Sequence, residues 1–244
     1  PPYADPHHSA SLASMVGGGA RIAVPGAISR AHRGVLFLDE APEFSPRVME
    51  ALRVPLESGR IVLGRAVATA TYPASFQLVL AANPCPCGMA GVPGGNCRCA
   101  PMAVRRYASR VSGPILDRVD IHQELRPVRA AFLERRFEPT ESSRVVAERV
   151  RIARERQRHR LESSGWRRNG EVPGPALRKR FPLPDGAEAL DVAVARGRLS
   201  ARGVDKVLRL AWTVADLAGA ERPSSEHLHT AMAMRRGDNG TEVA

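Results

Sequence analysis

Lysine is almost absent from this chain. Of 36 basic residues in 244, only Lys179 and Lys206 are lysines. A phosphate-cradling loop of the form Gly-x-x-x-x-Gly-Lys-Ser/Thr needs a lysine after a glycine frame. Neither lysine follows one, and no lysine follows Gly17-Gly18-Gly19, so these 244 residues contain no such loop. Long apolar runs are missing too, which excludes a membrane-spanning helix of the usual 18 or so residues. No basic-then-apolar leader opens the chain. It begins Pro-Pro-Tyr without an initiator Met and is expected to be a piece of something longer. Cysteines are scarce: four, all between residues 85 and 99. Thiols that staple a secreted fold are usually spread along it, so the clustering reads as a local site in a reducing, cytoplasmic compartment. No internal repeat is visible.

What remains is a globular composition, 43% hydrophobic and 25% charged, with enough apolar residues to bury a core. The net charge is +11, with 13 basic and 9 acidic residues up to position 126 and the larger excess beyond it. Such a balance favours polyanions, nucleic acid above all. So strong a preference for Arg over Lys reflects codon composition as much as partner choice.

Up to residue 126 the pattern alternates strands and helices. A short helix is expected over 10–15, stopped by Gly17-Gly18-Gly19. The run Val35-Leu36-Phe37-Leu38 reads as a buried strand, closed by Asp39 and Glu40. A helix starts at Ser45 or Pro46 and runs towards Glu57, ending at Ser58-Gly59. Residues 60–71 alternate as a hairpin around Gly64-Arg65. A second strand runs from Phe76 to Ala82 and stops at Asn83-Pro84. A cysteine loop (84–100), a basic helix around Arg105-Arg106-Tyr107, and a third short strand at Val119-Asp120-Ile121 complete this part. The fold class is therefore α/β, a parallel sheet with flanking helices. Residues 127–244 read as all-helical: a charged helix over 140–161, a long mobile loop near 163–186, then helices over 186–196, 200–218 with Ser200 as N-cap, and 224–236.

The chemistry concentrates at the two strand ends. In a parallel sheet adjacent strands deliver their terminal residues to one crevice at the carboxyl edge. Asp39 there suits Mg²⁺ held against nucleotide phosphates, and Glu40 suits a general base that polarises the attacking water. Asn83, ending the next strand, could orient the same water, although it is equally a turn former before Pro84.

Several longer runs carry a resemblance. Pro-His-His-Ser-Ala-Ser (6–11), Val-Gly-Gly-Gly (16–19) and Pro-Gly-Ala-Ile-Ser-Arg-Ala-His-Arg-Gly-Val-Leu-Phe-Leu-Asp-Glu (25–40) lead. Asn-Pro-Cys-Pro-Cys-Gly (83–88), Ser-Gly-Pro-Ile-Leu-Asp-Arg-Val-Asp (112–120) and Leu-Ser-Ala-Arg (199–202) follow. Together they resemble the magnesium-chelatase-like AAA+ ATPases, in their competence-protein ComM branch. The resemblance implies a partial AAA+ P-loop NTPase core followed by an all-helical lid, with the Walker A loop lying upstream of residue 1. It makes Val35–Glu40 the Walker B strand, Asn83 the sensor-1 residue, Arg118 an arginine finger acting on a neighbouring subunit, and Arg202 the sensor-2 contact to the γ-phosphate. It implies ATP and Mg²⁺ as cofactors, a homo-oligomeric ring, a hexamer, and DNA as partner, with branch migration during recombination of incoming strands as the work done. Residues 17–33 resemble an insertion in the second core helix and 60–74 a hairpin before sensor 1. Both face the pore in related rings, which makes Arg60 and Arg65 candidate DNA contacts. Alternatives stay open: an ATP-driven metal-insertion motor like the chelatase itself, or a non-catalytic DNA-binding or regulatory module.

Cys85-x-Cys87 and Cys97-x-Cys99 place four thiols in a loop dense in Gly and Pro. Four soft ligands with no open position suit a structural Zn²⁺, although one residue between paired ligands is tighter than the usual two to four. Disulfides and free thiols are the alternatives. His7 and His8, adjacent on an extended segment, are expected to point opposite ways. Trp212, at helical spacing with Leu208 and Ala215, is expected in a core. The five arginines between 151 and 160 are expected on a solvated helix face.

Overall fold

The computed structural model describes residues 1–19, 22–64, 69–92, 94–125 and 141–237. The chain divides into two compact units, Pro1–Val119 and Asp120–Ala244. The boundary expected between 126 and 127 lies outside the described residues.

In the first unit the elements run β1 (Tyr3–Ala4), α1 (Leu12–Val16), β2 (Gly17–Gly18), β3 (Val24–Pro25), α2 (Ala27–Arg30), β4 (Val35–Leu38), α3 (Pro46–Ala51), α4 (Arg53–Ser58), β5 (Arg60–Gly64), β6 (Thr69–Pro73), β7 (Gln77–Leu80), α5 (Pro101–Ala108) and α6 (Gly113–Leu116). The main sheet has the order β1-β4-β7 and is parallel throughout. β4 is its middle strand and alternates: Leu36 and Leu38 are fully buried, while Val35 and Phe37 are half-buried on the other face, where Tyr3 stacks on Phe37. Leu36 and Leu38 pack with Met15, Ile28, Val48, Met49, Leu52 and Ile115 in one core. β1 lies beside β4 because Gly34 has no side chain. A Cβ there would sit 1.9 Å from the Pro2 carbonyl oxygen, the oxygen that accepts from Val35 N.

The helix expected over 46–57 is broken at Leu52 into α3 and α4. Pro55 has no N–H to give the Ala51 carbonyl, which removes one helical bond at that point. Ser45 caps α3 through its hydroxyl, and Gly59 in the left-handed conformation closes α4. β5 and β6 form the antiparallel hairpin, with Ile61 and Leu63 turned to the core and Arg60 and Val62 to solvent. Its tip, with Arg65, lies outside the described residues. Residues 119–121 do not form the expected third strand. A strand requires a neighbour along its whole ladder, and here the His122 amide donates instead to the Met234 carbonyl at 2.8 Å.

The second unit is helical among its described residues: α7 (Ser143–Leu161), α8 (Gly174–Arg180), α9 (Glu188–Ala195), α10 (Ala201–Ala218) and α11 (Ser225–Arg236). Ser142, Ser200 and Ser224 cap their helices through side-chain oxygens. Residues 163–186, expected as a mobile loop, hold two 3₁₀ turns and α8, because Val172 and Leu177 are buried against the same core as Val207, Leu208, Ala211, Trp212 and Leu228. Trp212 is in the core, as expected.

Arg160 departs from the solvated face expected for it. Its guanidinium grips Asp216, with Nη1 at 2.5 Å from Oδ1 and Nη2 at 2.7 Å from Oδ2, and lies 4.3 Å over the Trp212 ring. Asn169 and Thr213 complete the network. Asp216 is 2% exposed, so removing its cation leaves a buried charge unpaired. We expect Arg160→Ala to lower unfolding stability by about 3–5 kcal/mol. Replacing both partners by apolar residues (Arg160→Met with Asp216→Leu) should cost less than either single change. Urea denaturation of the four proteins tests this, and additive losses would contradict it.

Candidate active site

The site is built where β4 and β7 end. Their parallel register runs from Val35 opposite Gln77 to Leu38 opposite Leu80. The pairing continues past the strands: Ala81 N donates to Leu38 O at 3.0 Å, and Ala41 N donates to Ala81 O at 2.8 Å. This stitching brings Asp39 and Glu40 on one strand end and Asn83 on the next to the same edge, all three exposed.

Glu40 has φ 51 and ψ 42, the left-handed region, and it starts the 3₁₀ turn Ala41–Glu43. For a residue with a Cβ this conformation costs roughly 1–2 kcal/mol. The backbone reversal separates the two carboxylates: Asp39 Oδ1 accepts from the Glu40 amide at 2.8 Å, while Glu40 Oε2 lies 3.0 Å from His8 Nδ1. His7 and His8 do not diverge as expected. They sit in a turn with ring centroids 4.0 Å apart, and His7 Nδ1 meets Ser9 Oγ at 2.8 Å. His8 is the functional candidate that sequence reasoning missed as chemistry. Its signal in the sequence was the Pro-His-His run that carries the family resemblance, and that run follows a strand lying beside β4.

The strain is testable without any catalysis. Glycine is ordinarily less stabilising than alanine, yet at a left-handed position the order should reverse. We expect Glu40→Gly to unfold at higher denaturant than Glu40→Ala, by about 1 kcal/mol. Alanine proving the more stable of the two would mean that the reversal does not exist in solution.

The segment after α5 docks on this edge. Arg110 reaches the Pro42 carbonyl and Glu43 Oε2, and Ser112 Oγ donates to Glu50 Oε1 at 2.7 Å. That hydroxyl, followed by Arg53, holds the Glu50 carboxyl below its ordinary value. Burial, then the negative charges of Glu43 and Glu40, push the Tyr107 phenol above its ordinary value, which marks how closely α5 approaches the acidic edge. Arg118 follows α6 and is mostly enclosed. Its Nη2 lies 2.5 Å from Glu57 Oε1 and its Nη1 donates to the Pro114 carbonyl at 2.7 Å. Arg60 is exposed at the start of β5. Arg202 is exposed in the first turn of α10, in the second unit.

Beyond Asn83 the cysteine loop folds on itself. The four sulfurs of Cys85, Cys87, Cys97 and Cys99 all lie within 4.8 Å of one another. Cys85 is fully buried and accepts from Ala90 N at 3.3 Å. Burial opposes its ionisation most strongly, yet the Ala90 amide and the Cys87 thiol together pull its pKa down to about 6. Cys99 is pushed up to about 12, first of all by the neighbouring Cys87 thiol.

Two family profiles cover nearly all of this chain: magnesium chelatase, subunit ChlI, over residues 1–133, and magnesium chelatase, subunit ChlI C-terminal, over residues 140–235. The chain belongs to the magnesium chelatase ChlI family. Its fold is accordingly AAA+-like, a parallel sheet with flanking helices followed by a helical region. An uncharacterised protein of Mycobacterium tuberculosis is 49% identical over 97% of the chain, and Escherichia coli YifB is 44% identical over 97%. Competence protein ComM of Haemophilus influenzae is 40% identical over 96%. The chain spans about half the length of these relatives: 46% of the first two and 45% of ComM. No helix among its described residues is long and apolar enough to cross a membrane.

Proposed function

We propose that this chain supplies the carboxylate side of the ATP site in a ring-forming AAA+ ATPase that does mechanical work on DNA. The observation that carries the reading is the convergence of Asp39, Glu40 and Asn83 at adjacent parallel strand ends, with Glu40 held in a strained conformation. Asp39 binds Mg²⁺ with the nucleotide, Glu40 takes the proton of the attacking water, and Asn83 orients that water. His8 positions Glu40. Arg118 completes a neighbour's site as an arginine finger, and Arg202 contacts the γ-phosphate as sensor 2. ATP with Mg²⁺ is the cofactor set, and the thiol cluster adds a structural Zn²⁺. The intact protein assembles as a homohexamer in the cytoplasm. Arg60, at the start of β5, and Arg65 touch DNA, and branch migration of recombining strands is the work we assign, on the resemblance of the motif runs at 6–11, 25–40 and 83–88. A metal-insertion motor is the second reading, favoured by the chelatase family to which the chain belongs.

The test is ATP hydrolysis and three-strand branch migration by the full-length protein that carries this segment. DNA-stimulated hydrolysis with strand movement supports the reading. Hydrolysis indifferent to DNA but stimulated by a porphyrin-handling partner would replace it with the metal-insertion motor. For the 244 residues alone we expect no turnover, since Mg²⁺–ATP needs a phosphate cradle that they do not contain. Turnover of about 1 s⁻¹ or more, lost in Glu40→Gln, would show that the cradle is not needed.

A further inference from the structure

Three of the sulfur separations are unlike a chance collection of thiols. Cys85 and Cys97 are 3.8 Å apart, Cys87 and Cys97 3.7 Å, and Cys85 and Cys87 3.3 Å. A tetrahedral Zn²⁺ with Zn–S bonds of about 2.3 Å sets its sulfurs about 3.8 Å apart. A disulfide would require about 2.05 Å, and the four cysteines are free. The loop is folded for this convergence. Gly88 N donates to Cys85 O at 2.9 Å and Ala90 N to the Cys85 sulfur, while Gly88, Gly91 and Gly94 take left-handed turns. An amide donated to a ligating sulfur is the kind of outer contact that orients a metal ligand.

The cluster also touches the site edge. Cys85 stands two residues after Asn83. At Gly88, the position a Cβ would occupy lies 3.9 Å from Asn83 Cγ and Oδ1, so the carboxamide rests over the first turn of the cysteine loop. Asn83 is itself exposed and follows the last strand residue by three. Short-range packing alone gives it little to hold its orientation.

We propose that Cys85, Cys87, Cys97 and Cys99 bind one Zn²⁺ and that this ion fixes Asn83 at the end of β7. The cysteines are positioning residues, not catalytic ones. On binding, the thiols still protonated release their protons to solvent, no electron moves, and all four coordination positions are filled by sulfur, leaving none for substrate. The first half of the proposal stands on the sulfur geometry alone. The second rests on the ATPase reading only where it concerns what Asn83 does.

The 244-residue chain, purified anaerobically, should contain one zinc per molecule by elemental analysis. A mercurial reagent should release it, as followed with a zinc-binding dye. Cobalt(II) in its place should give the intense visible bands of a tetrahedral thiolate site. Cys97→Ser should lose the metal, and because that residue is half-buried and could unfold the loop, metal stripping of the unmodified chain provides a second route. On stripping, amides of residues 81–90 should exchange about tenfold faster or more, while those of β4 stay unchanged. In the full-length protein the same stripping should lower kcat with nucleotide affinity kept, and should cost nothing further in Asn83→Ala. A chain with no zinc and four titratable thiols, or with two disulfides, overturns the metal site. Zinc whose removal leaves exchange at 81–90 unaltered overturns the coupling to Asn83. One zinc, with 81–90 loosened on its removal, in a protein that never hydrolyses ATP, would sink the ATPase reading and leave this inference standing.

Discussion

Glu40→Gln, in the full-length protein that supplies the phosphate-binding loop, should keep Mg²⁺–ATP bound and lose hydrolysis by about 10²–10⁴-fold. That is the range of general-base contributions. The substitution keeps the side chain's size and its left-handed backbone, and removes only the basic oxygen. Asp39→Asn should behave differently. Asp39 Oδ1 is already turned towards the chain, accepting the Glu40 amide, and its charge is the one suited to Mg²⁺. Its loss should therefore weaken Mg²⁺-dependent binding before it slows chemistry. His8→Ala should fall between them, with kcat reduced and affinity kept, if His8 acts as proposed, through its 3.0 Å contact to Glu40 Oε2. Measured single-turnover rates and nucleotide Kd values separate the three. Parental hydrolysis in Glu40→Gln would remove Glu40 from the chemistry, whatever its backbone strain.

Arg118→Ala should be as damaging, about 10³–10⁵-fold in kcat, the range found for arginine fingers in other NTPases. Because a finger acts across an interface, the defect should be repaired by mixing. Rings built from Arg118→Ala and Glu40→Gln subunits would contain some interfaces pairing an intact Glu40 with an intact Arg118, whereas neither pure ring contains any. Activity confined to the mixture establishes action in trans. Full activity of Arg118→Ala alone would end the finger assignment. Silence at every mixing ratio, with subunit exchange demonstrated, would mean either that the ring needs all its sites in concert or that Arg118 acts within its own subunit. The geometry adds a further expectation. In the single chain Arg118 is engaged by Glu57 and the Pro114 carbonyl, so a neighbour's phosphate must compete with Glu57 for the same guanidinium. Glu57→Gln should therefore not reduce turnover. A loss comparable to Arg118→Ala would mean that Glu57 aims the finger.

Much of the local structure was legible because its causes are local. Ser200 caps α10 because its hydroxyl meets the amide three residues on, and Gly59 closes α4 because only glycine takes that conformation without cost. The strand Val35–Leu38 declares itself by a continuous apolar run, and the hairpin, expected over 60–71 and pairing out to Pro73, by alternation. The long motif runs that resemble ChlI-type ATPases are a property of the sequence, and the family profiles bear them out. By itself, then, the sequence determined the elements, the family, and the two strand ends that carry Asp39, Glu40 and Asn83.

Tertiary structure decided whatever depends on a partner distant along the chain. Val119–Ile121 has strand-like residues but no strand, since β structure exists only against a neighbour. Residues 163–186 look like a linker in composition, yet Val172 and Leu177 find the core around Trp212 and are ordered by it. Arg160 is one of five similar arginines until Asp216, 56 positions away, singles it out. His8 comes within reach of Glu40 only because β1 lies beside β4, and the four thiols gather within 4.8 Å of one another only when the loop closes. Each of these is a long-range contact whose energy comes from burial or charge pairing, and local sequence carries no record of which distant group will supply it.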